Sequence, residues 1–128
     1  MRDEELYNLG KKVRREVLGA AYDDSIVTGE NEFSQPIRDL TTRYVWGEIW
    51  GDDALPRKVR SLINIGMLTA LRASREIRVH IRGARNNGCT KEEIRATLMQ
   101  AAVYCGVPAV REAVRMANEV FAEEAKSK

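Results

Sequence analysis

No stretch of this chain alternates apolar and polar residues, and almost every stretch repeats its apolar residues three or four positions apart. That period belongs to helices with one buried face, so the chain is expected to be all-α, with about six helices. Leu6, Leu9, Val13 and Val17 place the first helix at about Asp3 to Leu18, closed by Gly19. Residues 19–33 hold Asp23, Asp24, Glu30 and Glu32 without a period and read as an ordered arm or loop. Ser34 with Pro36 opens a second helix to about Trp50, which Gly51-Asp52-Asp53 breaks. Pro56 opens a third, to about Leu71. Ser74 is suited to cap a fourth, ending at Asn87-Gly88, where glycine accepts the left-handed cap position. Thr90-Lys91-Glu92-Glu93 has the spacing of a capping box and starts a fifth, to about Tyr104. Gly106 ends it, and Pro108 opens a sixth that frays in the Glu/Lys-rich tail.

The length, 128 residues, suits one domain over 1–128. A net charge of only +2 lacks the basic excess of a nucleic-acid binder. No apolar run approaches a membrane span, and the start Met1-Arg2-Asp3-Glu4-Glu5 is unlike a signal peptide. The expected setting is the cytoplasm. Cys89 and Cys105 have neither CxxC nor zinc-site spacing, so both are expected as free thiols, with no metal bound.

Two helices say more than fold. The third contains Leu62-Ile63-Asn64-Ile65-Gly66-Met67-Leu68-Thr69-Ala70-Leu71, apolar almost all round. It is either a central core helix or a subunit interface. On the fourth, at about 100° per residue, Glu76, His80, Gly83 and Asn87 share the inward side. Arg75, Arg78, Arg82 and Arg85 take the outer one, as a solvated face or as rim contacts between subunits.

Glu76 and the only histidine, His80, stand one turn apart and can touch. They read either as a satisfied structural pair or as an acid/base site in a cleft. Arg60 lies on the same side of its helix as Asn64, Met67 and Leu71, and an arginine on so apolar an element needs an anionic partner. Trp46 and Trp50 share one helix face, as core residues or as an aromatic pocket wall. Tyr104, before the Gly106 break, is a further candidate for substrate contact.

Six segments occur in order: Val13-Arg14-Arg15-Glu16-Val17-Leu18-Gly19, Trp46-Gly47-Glu48-Ile49-Trp50, Arg60-Ser61-Leu62, Glu76-x3-His80-x2-Gly83-Ala84, Asn87 through Ile94, and Val103-Tyr104-Cys105-Gly106-Val107-Pro108-Ala109. With them the chain resembles the carboxymuconolactone decarboxylase family over nearly its whole length. The resemblance implies the all-helical fold of alkylhydroperoxidase D-like proteins and a homo-oligomer, typically a hexameric ring. The thiol peroxidase branch carries CxxC before the histidine. Those slots are Ala73 and Glu76 here, and Ser61 stands where that branch has Glu. After the second tryptophan the decarboxylase pattern reads Arg-Pro-Gly. Here it is Gly51-Asp52-Asp53-Ala54, acid in place of an arginine that would assist a di-anion.

The substrate so implied is a small anion, a butenolide with a carboxylate and a carboxymethyl arm on one ring carbon. Its own ring double bond and lactone carbonyl accept the electron pair that CO₂ leaves behind, so no cofactor is called for. Arg60 is then expected to hold the surviving carboxylate, His80 to return a proton to carbon, Glu76 to orient the imidazole, and Trp46 and Trp50 to form a dry wall. The alternatives are a peroxidase-like redox protein of the same superfamily, a decarboxylase of another small lactone, and a non-enzymatic binding protein.

Overall fold

Two glycines of nearly identical geometry set the helix order. Gly19 has φ 92° and ψ 149°, and Gly106 has φ 93° and ψ 149°. Only glycine enters that region without strain. Each ends one helix, and the next begins at the following residue. The computed structural model describes residues 2–127, among which there is no strand. Its α-helices are α1 Asp3–Leu18, α2 Ala20–Thr28, α3 Gln35–Thr41, α4 Arg57–Leu71, α5 Ser74–Asn86, α6 Lys91–Cys105 and α7 Val107–Lys126. A π-helical stretch, Thr42–Ile49, continues α3. No helix of the described residues is long and apolar enough to cross a membrane. The chain groups into two compact units, Met1–Arg57 and Lys58–Lys128.

The first unit corrects the sequence reading. The arm expected at 19–33 is helical over most of its length, as α2. Asp23 and Asp24 are not loop residues but helical partners of α1, while Glu30 pairs with Arg38 of α3. Buried Arg14 donates from Nε to buried Asp23 at 2.5 Å, and Arg15 pairs with Asp24 at 2.7 Å. Arg14 also donates to Thr42 Oγ1 at 2.7 Å, which ties α1 to the π-helical stretch. Ionic pairing has no 3.6-residue period, so a hydrophobicity pattern cannot reveal it. The single helix expected from Ser34 to Trp50 changes pitch at Thr42, and Trp50 N donates to Val45 O in the wide i→i+5 pattern.

α1 crosses the π-helical stretch backbone to backbone. A methyl on Gly10 would land on the Thr42 carbonyl, and one on Gly47 on the Leu6 carbonyl. Neither carbonyl can move aside as a side chain can. Gly10→Ala is therefore expected to destabilise the protein by at least the ~1–3 kcal/mol of an overpacked core. Urea denaturation followed by circular dichroism measures it, and an unchanged midpoint would show that the crossing has slack.

In the second unit, Ile65 of α4, Ile77, Ile81 and Ala84 of α5, Ile94 and Leu98 of α6, and Ala113, Met116, Ala117 and Val120 of α7 form one core. The capping box forms as expected, with Thr90 Oγ1 accepting from Glu93 N and Glu93 Oε1 accepting from Thr90 N. Ser74 does not cap α5. It is the first residue of that helix, and its hydroxyl bonds Glu112 of α7 instead. α7 stays helical to Lys126 rather than fraying early. Nor is α4 a central core helix in the single chain. Only Ser61, Ile65 and Thr69 are buried, while Ile63, Met67 and Leu71 are 44%, 54% and 74% exposed.

Candidate functional site

The apolar stripe Ile77, Ile81 and Ala84 is fully buried and fixes how α5 is rotated about its axis. Two consequences follow, one on each flank. On the outer flank, three of the four arginines are not a free solvated face but are paired within the chain. Arg78 and Arg82 both pair with Glu123 of α7, Arg82 at 2.9 Å, and Arg85 pairs with Glu124 at 2.9 Å. Arg85 also donates to the Cys89 carbonyl at 2.9 Å. Only Arg75 stands exposed. The carboxylates come from the tail that the sequence reads as fraying.

On the other flank, α5 meets α4 along a polar seam. Asn87 Nδ2 donates to Ser61 Oγ at 2.9 Å, and Ser61 is fully buried. Two helical turns earlier on α5, Asn64 Nδ2 lies 3.4 Å from His80 Nδ1. Arg60 precedes Asn64 by one turn of α4 on the same face, half-buried, with its Nε withdrawn from water. Burial pushes His80 down from the ordinary 6.5 to about 4, against the charge of Glu76, which raises it. The imidazole is therefore neutral near pH 7, not poised to titrate there.

Two of the expected partners, Glu76 and Tyr104, are exposed. Glu76 is exposed, so it acts on His80 through its charge and not as a buried orienting group. Tyr104 is 80% exposed. With Leu62, Ile63, Gly66 and Cys105 it lines a separate apolar groove of about 610 Å³. Trp46 and Trp50 belong to the first unit, each 5% exposed and stacked with centroids 5.2 Å apart. Asn64 was the residue to look for. A lone amide on the apolar α4 must find a polar partner, and that is the one signal the sequence carried.

Three comparisons bear on this geometry. The model of the carboxymuconolactone decarboxylase family matches residues 36–119. The chain is 40% identical to a 4-carboxymuconolactone decarboxylase of Acinetobacter baylyi, over 94% of this chain and 90% of that one. It is 41% identical to a nitrosuccinic acid decarboxylase of Metarhizium robertsii, over 85% and 76% respectively.

The chain belongs to the carboxymuconolactone decarboxylase family.

As a member of that family it is an enzyme, a carboxy-lyase, and its all-helical architecture is of the alkylhydroperoxidase D-like kind. Cys89 is not placed for redox work. Cys89 is buried, its Sγ donates to the Lys58 carbonyl at 3.5 Å, and burial raises its pKa. Among the described residues no group of three or more metal-ligating side chains converges.

The depressed pKa of His80 has a consequence for stability. Between pH 6.5 and about 4 the unfolded chain binds a proton that the folded chain refuses. The contribution is complete above 6.5 and is lost as pH falls towards about 4. His80→Asn removes this linkage, so its stability should fall less than the parent's over that window. Urea midpoints at both ends measure it, and parallel pH profiles would place the imidazole in water.

Proposed function

We propose that this decarboxylase acts on 4-carboxymuconolactone, without a cofactor, in the cytoplasm. The observation that carries the reading is the 40% identity to a protein of that activity across 94% of the chain. The polar seam of the second unit supports it, because Arg60, Asn64 and His80 suit a small anion whose carbanion is stabilised within its own ring.

The chemistry proceeds in two stages. The C–C bond to the leaving carboxylate breaks, and its electron pair flows through the ring double bond into the lactone carbonyl, giving a dienolate and CO₂. The carbon next to the carbonyl then takes a proton, giving an enol-lactone. Arg60 holds the surviving carboxylate through its guanidinium fork. His80 starts neutral. Two substrate carboxylates arriving beside it raise its proton affinity, so that it takes up its proton with the substrate and returns it to carbon. Glu76 adds to that effect by charge. Trp46, Trp50 and Tyr104 have no step in this scheme.

A direct CO₂-release assay with carboxymuconolactone tests the assignment. His80→Ala is expected to lose about 10²–10⁴-fold in turnover with the fold intact, the usual worth of a positioned proton donor. Arg60→Ala should chiefly raise KM. Undiminished turnover in a folded His80→Ala would remove the imidazole from the mechanism, and an unchanged KM in Arg60→Ala would give the carboxylate to another cation.

The fungal relative favours a second substrate for the same assay. In nitrosuccinic acid one carboxyl necessarily sits on the carbon bearing the nitro group, which can receive the electron pair. Both named relatives thus decarboxylate acids that carry their own electron sink. CO₂ release from nitrosuccinate and not from the lactone would move the assignment.

A homo-oligomer, with a hexameric ring as the form the resemblance implies, is part of the reading. The exposed Ile63, Met67 and Leu71 of α4 support it, since a lone chain leaves them to water. Analytical ultracentrifugation is expected to find a multiple of the 14.5 kDa chain, and a monomer at micromolar concentration would refute it.

A further inference from the structure

We propose that Asn64 is the positioning residue of His80, its amide on α4 holding the imidazole of α5 with Nε2 as the proton-bearing nitrogen. The catalytic weight of this inference rests on the decarboxylase reading above. The amide nitrogen of Asn64, 3.4 Å from His80 Nδ1, carries only hydrogens. With that nitrogen as the donor, the ring nitrogen facing it presents a lone pair, and a neutral imidazole with its lone pair on Nδ1 has its hydrogen on Nε2.

The surroundings hold the pair in register. Two turns further on, the Asn87–Ser61 bond clasps the end of α5 to α4, at 2.9 Å. Ile65, one residue after Asn64, and Ile81, one after His80, are fully buried and fix the rotation of both helices. Glu76, exposed, reaches the ring by charge only.

The residue type matters. An aspartate at 64 would accept from Nδ1–H and force the other tautomer, and a leucine would offer nothing. An amide holds the neutral ring with its NH₂ group and, after rotating, would accept from a protonated ring with its oxygen. It is thus suited to a group that gains and loses a proton in each turnover.

The chain has one histidine, so a long-range ¹H–¹⁵N correlation spectrum shows a single imidazole. At neutral pH the parent is expected to give the Nε2–H tautomer and Asn64→Asp the Nδ1–H tautomer. Asn64→Leu should give a mixture and serves if the aspartate variant does not fold. Both variants should lose about 10²-fold in kcat with KM changed less than about threefold, as for a reacting group held in the wrong state. An Nδ1–H parent, a tautomer indifferent to Asn64→Asp, or a switched tautomer with unchanged kcat would each overturn the proposal. The spectrum needs no turnover. A tautomer that switches in a protein releasing no CO₂ from either acid would count against the proposed substrates and not against the pairing.

Discussion

The structure of the second unit hangs on the rotation of α5. Ile77, Ile81 and Ala84 have no exposed surface, and each of the two buried isoleucines is worth roughly 1.5–3 kcal/mol relative to water. Turning the helix by one residue would expose that stripe and bury arginines. The stripe therefore dictates the rest of the helix. The arginine flank falls within reach of Glu123 and Glu124, and the histidine flank falls against Asn64 of α4. Packing energy sets the geometry, and the polar groups take the places it leaves.

The two flanks are electrostatically different. The outer one is partly exposed, so its ion pairs contribute modestly to stability, and they act more to fasten the end of α7 than to supply energy. The inner one is withdrawn from water. There an imidazole is held neutral, half-buried, within reach of an amide. On the proposed reading an anionic substrate completes this site, because it brings the charge that restores the basicity of the ring. Burial likewise raises the Cys89 thiol and so lowers its thiolate fraction.

The first unit illustrates a different economy. Arg14 and Asp23 are both buried and paired, and Arg14 extends to Thr42. Removing either partner would strand a charge, which costs far more than the pair contributes. Acidic residues that look like loop surface, Asp23 and Asp24, are in fact the cross-links of α2 to α1.

The sequence by itself determined the helical class, the capping box at Thr90, the break at Gly106, the separation of His80 from the arginines on opposite sides of α5, and the family. Each is written in local spacing or in residue identity, which survive without knowledge of neighbours. Tertiary structure alone decided that 20–28 is helical, that Thr42–Ile49 widens into a π-helix, that Glu76 is exposed, that Glu123 and Glu124 cover the arginines, and that His80 is neutral beside Asn64. Periodicity specifies which way a side chain points from its own helix axis. What it meets there, and how much water remains, depends on segments far away in the chain, and burial and partner together set the proton affinity of a side chain.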